Sequence, residues 1–155
     1  MAVIYVGCAL SRAPQEFKNE VKKLKEILSQ DGHIILEFVI DLNVTDDGVY
    51  QNDVHCISSC DIFLAITDFP STGLGLEIGL ALERFHKPIL CVYRNWDERS
   101  RMVHGLVCDP RYGKLNEIIT FAQYENLKEI ATTILPDFLR RIDVARELYD
   151  IPTKK

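Results

Sequence analysis

Two short apolar runs limit the fold of this chain more than any other feature of its sequence. Residues 61–67 read DIFLAIT and residues 88–93 read PILCVY, so that almost every position in each run is hydrophobic. A strand with one face in water alternates hydrophobic and polar residues, whereas a strand covered on both faces is apolar throughout. The two runs therefore predict buried strands of a parallel sheet.

Further strands and helices alternate with these two runs along the chain. Strands are also predicted at residues 2–8, 33–40 and 116–122. Helices are predicted from Phe17 to a stop at Asp31 and Gly32, at residues 49–60, at 71–85, and from 125 onward with an interruption at Pro136. The alternation predicts an α/β fold, namely a single-domain doubly wound (Rossmann-like or flavodoxin-like) five-stranded parallel sheet with helices on both faces. We expect one domain over residues 1–155, with its ligand beyond the carboxyl ends of the strands.

The charge balance narrows the class of ligand. The formal net charge is −5, and no cluster of Lys and Arg is present of the size that a nucleic-acid polymer or an anionic membrane requires. A small molecule is the expected partner. The apolar start, residues 1–10, lacks a basic leader, and the five cysteines are scattered through apolar segments, which predicts reduced thiols and a cytoplasmic protein. The four histidines have no zinc-site spacing, and neither a metal nor another cofactor is predicted.

The segment 67–79, where a buried strand turns into a helix, holds the main candidate for chemistry. Its sequence TDFPSTGLGLEIG combines glycines, which let a ligand approach the backbone, with Glu77. A carboxylate in or near the first helical turn is expected to be held ionised by the helix dipole and unpaired N–H groups, which suits a nucleophile. Spacing alone leaves open that Glu77 only complements the dipole. The segment is neither a Walker loop nor a dinucleotide fingerprint.

Other side chains could complete such a site. Asp53, in the helix before the third strand, could supply the second carboxylate that glycoside cleavage needs, or could be a solvated helix residue. Tyr5 in the first strand could hydrogen bond a carboxylate, or could be an ordinary core tyrosine. Ser71 and Thr72 are expected to cap the Glu77 helix, and the same groups could hold a phosphate. Positive charge nearby would come from Arg12, Arg94, Arg99 and Arg101.

The order of these parts resembles the nucleoside 2-deoxyribosyltransferase superfamily, and within it the 2'-deoxynucleoside 5'-phosphate N-hydrolases. The likeness covers roughly residues 3–107 and rests on Ile4-Tyr5-Val6-Gly7, Glu37, Asn52-Asp53, Cys60-Asp61-Ile62, Pro70-Ser71, Gly73-Leu74-Gly75-Leu76-Glu77-Ile78-Gly79, and Ser100-Arg101-Met102-Val103-His104-Gly105. The hydrolases tend to have Gly-Ser-Ile-Arg-Gly after the first strand, where this chain has Cys8-Ala9-Leu10-Ser11-Arg12. Ser11 or Arg12 is expected to replace the missing hydroxyl.

The resemblance implies a role for each matching residue. Glu77 would attack C1' of the sugar, Asp53 would donate a proton to the departing base or contact the sugar, and Tyr5 would orient Glu77. The 5'-phosphate would bind the first loop, the turn into the third helix, and a serine of a neighbouring subunit. Those binding residues are Gly7, Ala9, Ser11, Arg12, Ser71, Gly73, Gly75 and Ser100.

The implied function is hydrolysis of the N-glycosidic bond of a (deoxy)nucleoside 5'-monophosphate in a homodimer or higher homo-oligomer. Two alternatives stay open at this point. A nucleoside 2-deoxyribosyltransferase would use the same glutamate but pass the sugar to a second base, and a non-catalytic nucleotide-binding module would release no base. A ribonucleotide substrate such as CMP is also compatible with the sequence.

Overall fold

The computed structural model describes residues 1–10, 13–37, 45–98, 100–108 and 119–149. Its strands are β1 (Val3–Cys8), β2 (Ile34–Leu36), β3 (Ile62–Ile66), β4 (Ile89–Tyr93) and β5 (Ile119–Gln123). Its α-helices are α1 (Gln15–Gln30), α2 (Asp46–Ser59), α3 (Thr72–Glu83), α4 (Arg101–Cys108), α5 (Leu127–Glu129) and α6 (Leu135–Tyr149). A 3₁₀ turn covers Trp96–Glu98, and a π-helical turn covers Ile130–Ile134.

The five strands form one parallel sheet in the order β2-β1-β3-β4-β5. The order reverses at β1, because the chain runs first from β1 to β2 and then back across to β3 on the other side. In open sheets of this kind the loops that leave two neighbouring strands in opposite directions form a crevice at the carboxyl ends. The predicted doubly wound five-stranded parallel sheet is confirmed, and its crevice lies between β1 and β3.

The strands bury alternate side chains in two cores, one on each face of the sheet. Ile4 and Val6 join the core under α1, α5 and α6, whereas Tyr5 and Phe63 join the core under α2, α3 and α4. All five residues of β3 and of β4 are buried, as their apolar sequences predicted. Helix α1 buries an apolar stripe, Phe17, Val21, Leu24 and Leu28, and ends where expected, with Gly32 in the left-handed region at φ 85°.

The ends of several elements differ from the prediction for local reasons. Helix α2 begins three residues early because Thr45 caps it, with the Thr45 hydroxyl accepting a hydrogen bond from the Gly48 N–H at 3.2 Å. Such a polar first turn carries no apolar periodicity. Strand β2 is shorter than predicted, and residues 38–40 and 116–118 of the predicted strands lie outside the described residues. Helix α4 was not predicted.

The predicted interruption at Pro136 takes the form of a π turn rather than a break. Proline has no N–H to donate and its ring crowds the carbonyl four residues earlier. The chain accommodates it with the wider turn Ile130–Ile134, where the Leu135 N–H donates to the Ile130 carbonyl, before α6 continues. Leu127, Ile130 and Leu135 thereby all stay in the core beside α1.

None of the helices in the described ranges combines the length and the apolar character that a membrane-spanning helix needs. The four cysteines whose side chains are described, Cys8, Cys56, Cys60 and Cys91, carry free thiols.

Candidate active site

Three elements bring the predicted catalytic side chains together on one face of the sheet. Tyr5 projects from β1, Asp53 from α2 and Glu77 from α3, and α2 packs against α3 over the same core. The three residues are separated by 48 and 24 positions in sequence, so only the folded sheet places them side by side. The prediction that Tyr5, Asp53 and Glu77 share a site is therefore consistent with their placement.

Tyr5 is the buried centre of this group. Its ring is fully buried and stacks on Phe63 with centroids 5.1 Å apart and planes 28° apart. Its hydroxyl donates a hydrogen bond to Asp53 Oδ1 at 3.3 Å. Burial, followed by the negative charges of Glu77 and Asp53, raises the pKa of Tyr5 far above its ordinary value, so the phenol keeps its proton. Tyr5 can act as a hydrogen-bond donor at any physiological pH.

The position of Glu77 in α3 contradicts the expectation that the helix dipole holds its carboxyl group ionised. Glu77 lies in the second turn of α3, the sixth residue of that helix, whereas the influence of a helix dipole fades beyond the first turn. Burial, with a further contribution from the Asp53 charge, raises the pKa of Glu77 to about 7, although a hydrogen bond with Tyr5 lowers it. The carboxyl group is therefore not held ionised by the helix, and desolvation makes both protonation states accessible at neutral pH.

Asp53 occupies a more open place on α2. Burial raises its pKa, and hydrogen bonds with Tyr5 and Asn52 oppose that rise. Tyr5 therefore interacts with both carboxyl groups, and the two acids differ in environment. A pair of carboxyl groups with different environments is the arrangement that lets one act as a nucleophile and the other as an acid.

Gly7 determines how closely α3 can approach β1. A Cβ atom on Gly7 would lie 2.8 Å from Glu77 Oε2 and 2.7 Å from Phe63 Cε2, distances that real side chains do not tolerate. The missing side chain thus lets the Glu77 carboxyl group rest directly on the backbone of β1. Ala9, just beyond β1, is also buried.

The structure describes only some of the predicted phosphate-binding residues. Ser71 caps α3, and its Oγ accepts a hydrogen bond from the Leu74 N–H at 3.2 Å, as predicted. Gly73 and Gly75 are exposed, and Cβ atoms on them would meet at most Ser71 Oγ at 3.8 Å, so packing does not require glycine there. The start of α3 is consequently open to a ligand.

Ser100 begins α4 on an exposed stretch, where its Oγ accepts from the Val103 N–H at 3.3 Å. Arg94, one of the predicted sources of positive charge, forms ion pairs with Glu20 and Asp68. Ser11, Arg12 and Arg99 lie outside the described residues. In the part of the chain that the structure describes, no group of three or more His, Cys, Asp or Glu side chains could hold a metal ion.

Sequence reasoning assigned no role in this region to Phe63, Asn52 or Asp68. Phe63 lies beside Tyr5 because β1 and β3 pair with Tyr5 opposite Phe63, a register that a single sequence does not reveal. Asn52 precedes Asp53, and its hydrogen bond to that carboxylate depends on the side-chain orientation in α2. The buried contacts of Asp68 depend on β4 and β5.

Comparison with known proteins matches this chain to a family profile and to proteins named as N-hydrolases. The sequence profile described as Nucleoside 2-deoxyribosyltransferase matches residues 4–127. A candidate 2'-deoxynucleoside 5'-phosphate N-hydrolase 1 of Thermofilum pendens is 30% identical over 95 residues, which are 56% of this chain and 66% of that protein. The 5-hydroxymethyl-dUMP N-hydrolase of Rattus norvegicus is 26% identical over 116 residues, which are 68% of this chain and 71% of that protein.

A solved structure, the CMP N-glycosidase BcmB of Clostridium botulinum, superposes with a TM-score of 0.62 at 20% identity and covers 86% of this chain and 98% of its own. That similarity supports the shared fold. The alignments with the Thermofilum pendens protein and with a second candidate N-hydrolase, from Nematostella vectensis, span just under two thirds of each relative's length, at 66% and 65%. The profile match, by contrast, takes in β1 to the start of α5 and every described candidate site residue. The chain belongs to the nucleoside 2-deoxyribosyltransferase family.

Proposed function

We propose that this protein hydrolyses the N-glycosidic bond of a (deoxy)nucleoside 5'-monophosphate, releasing the free base and a (deoxy)ribose 5-phosphate. The observation that carries the proposal is the close contact of the partly buried Glu77 with Gly7, together with the interactions of Asp53 and Glu77 with the protonated phenol of Tyr5. The relatives named as N-hydrolases of deoxynucleoside 5'-phosphates support the same reaction class. This proposal makes the protein an N-glycosidase.

Glu77 is the nucleophile in the proposed reaction. As the base departs with the electrons of the C1'–N bond, C1' gains oxocarbenium character, and a carboxylate beside it stabilises the positive charge. An oxygen of Glu77 then bonds to C1' and forms a glycosyl ester. Water attacks C1' in the second step, releases the carboxylate and gives the sugar phosphate with net retention. With its pKa at about 7, Glu77 is partly ionised at neutral pH and has little solvation to lose.

Asp53 and Tyr5 assist this carboxylate. Asp53, whose pKa is raised by burial, can donate a proton to the departing base or bind the sugar hydroxyl. Tyr5 keeps its proton, donates a hydrogen bond to Asp53 and also interacts with Glu77. Its ring is held by Phe63, so the hydroxyl has little freedom to leave the site.

The 5'-phosphate subsite of the proposal lies at the start of α3 and along the loop that follows β1. Helix N-termini present N–H groups that no intrahelical carbonyl accepts, and they favour anions. Ser71 uses an Oγ lone pair to cap Leu74, which leaves its hydroxyl proton to donate to a phosphate oxygen. Gly7, Ala9, Ser11, Arg12, Gly73 and Gly75 would contribute the remaining contacts, and Ser100 would enter from a neighbouring subunit of a homodimer.

Base release from a panel of nucleosides and their 5'-monophosphates, in ribo and deoxy forms, tests the function. We expect free base from at least one monophosphate and no release by Glu77→Ala. The matched control is Glu83→Ala, a change at an exposed position of the same helix. Near-wild-type turnover in Glu77→Ala would overturn the assignment of the nucleophile.

Two further observations separate the neighbouring reaction types. Adding a second free base would yield an exchanged nucleoside if the protein were a transferase, and hydrolysis alone is expected. Including methanol tests the covalent step, because a glycosyl ester attacked from the opposite face gives a methyl glycoside of retained configuration. An inverted glycoside would rule out the Glu77 intermediate.

A further inference from the structure

We propose that Asp68 is a positioning residue, which fixes the loop before α3 so that Ser71 and the first N–H groups of the helix stay where the 5'-phosphate binds. Asp68 follows β3 by two residues and precedes Ser71 by three. The inference rests on the proposed function and assigns a role to a residue that contacts the ends of β4 and β5.

Asp68 is tied to the ends of two neighbouring strands. Its Oδ1 accepts a hydrogen bond at 2.8 Å from the N–H of Arg94, which follows β4. Its Oδ2 accepts a hydrogen bond from the hydroxyl of Tyr124, which follows β5, and lies 3.7 Å from Arg94 Nε. The side chain of Asp68 is only 6% exposed, so these donors replace the water that a carboxylate otherwise binds.

Apolar packing supports only part of the same loop. Phe69 packs edge-on against Phe17 of α1 with ring centroids 4.9 Å apart, and Thr67 bonds twice to the Val92 carbonyl. Beside these contacts a cavity of about 270 Å³ opens between the loop and the first turns of α1. Among the described residues no side chain fills that space, so the hydrogen bonds of Asp68 add to the contacts of Thr67 and Phe69 in fixing the direction in which the loop leaves β3.

Tyr124 strengthens this attachment. It is 2% exposed, and burial together with the Asp68 carboxylate raises the pKa of its phenol far above the ordinary value, so it stays a donor. The guanidinium of Arg94 lies over the Tyr124 ring at 5.3 Å and also pairs with Glu20 of α1. The loop is thereby held to β4, β5 and α1 at once.

The consequence for catalysis differs between the two ends of the substrate. Glu77 is fixed by Gly7, Tyr5 and the core beneath α3, all of which are independent of Asp68. Ser71, three residues from Asp68, caps the helix, and in the described part of the chain its hydrogen bonds are those of the cap. Loss of the Asp68 hydrogen bonds should therefore impair phosphate binding far more than bond cleavage, because phosphate binding needs donors that are already in place.

The test compares kcat/KM for a 5'-monophosphate with kcat/KM for the corresponding nucleoside. Asp68→Asn keeps the shape and removes the charge, and Tyr124→Phe removes only the hydroxyl group. Each should lower the preference for the monophosphate by about tenfold to a hundredfold, the usual effect of losing one hydrogen bond to a charged group. Turnover of the nucleoside should stay within about twofold, and the loss should appear in KM rather than in kcat.

Matched controls are Asp31→Asn and Tyr50→Phe, both at exposed positions. If Asp68→Asn and Tyr124→Phe slow both substrates by the same factor, or leave the preference unchanged, the positioning role is wrong. Tyr124→Phe decides the question even if Asp68→Asn does not fold. A wild type that cleaves no nucleotide would refute the proposed function itself, and a wild type with no preference for the monophosphate would refute the phosphate subsite.

Discussion

Replacing Glu77 by Gln is expected to abolish base release and, at the same time, to stabilise the fold at alkaline pH. The pKa of Glu77 in the folded protein is about 7, against 4.5 for an ordinary glutamate. Because the folded state holds the proton more tightly than the unfolded chain, the wild type loses stability as pH rises from about 4.5 to about 7. Glutamine carries no charge to bury, and its carbonyl oxygen can still accept the hydrogen bond from Tyr5.

The magnitude follows from the difference between the two pKa values. At pH 8 the ionised Glu77 costs the folded state about 3 kcal/mol, and at pH 5 the cost is about 1 kcal/mol. For a chain of this length the larger figure corresponds to a rise in Tm of roughly 5–10 °C in Glu77→Gln at pH 8. The gain should shrink steadily toward pH 5.

Thermal unfolding of wild type and Glu77→Gln in one buffer series from pH 5 to pH 8 measures this effect. Glu83→Gln controls for the loss of one negative charge from α3, because Glu83 is exposed. The reasoning is refuted if the Tm difference between wild type and Glu77→Gln does not grow with pH, or if the variant is the less stable protein at pH 8.

Further outcomes follow from the same contacts. The value of kcat/KM should rise with pH through about 7 as Glu77 ionises. Asp53→Asn should shift this rise to lower pH, because it removes a negative charge beside Glu77. Tyr5→Phe should shift it to higher pH, because it removes a hydrogen bond to the Glu77 carboxylate. If the two variants shift the pH profile of kcat/KM in the same direction, this reasoning is wrong. Gly7→Ala should cost about 1–3 kcal/mol of stability and most activity, since the methyl group meets Phe63 and Glu77. Gly79→Ala, on α3 with open space around it, should instead be neutral or slightly stabilising in denaturant unfolding.

Much of the fold could be predicted because the central strands are buried on both faces. The apolar runs in β3 and β4 and the stripe on α1 are direct consequences of burial, and each appears where the sequence indicated. Helix α4 was not predicted because its eight residues are too few to show a sustained apolar period. The early start of α2 was not predicted because a cap and two aspartates, rather than core contacts, stabilise its first turn.

The sequence named three residues that the structure brings together, Tyr5, Asp53 and Glu77, but it did not give their environment. These three residues could be named from the resemblance and their order along the chain. The predicted ionisation of Glu77 was wrong, because it depends on how many turns separate the residue from the start of α3. Phe63 and Asp68 act through strand pairing and through contacts with β4 and β5. A hydrogen bond that spans 56 positions, as between Asp68 and Tyr124, leaves no local pattern in a single sequence.

The absence of a side chain at Gly7 has a meaning for anyone who would move this site to another protein. Many parallel sheets offer a strand, a crossing helix and room for two acids, but most carry a side chain at the strand position that faces the helix. Any such atom would push a grafted glutamate outward and restore its contact with water. A designer would therefore choose the scaffold by its glycine at the end of the first strand, and only then add the acidic residues.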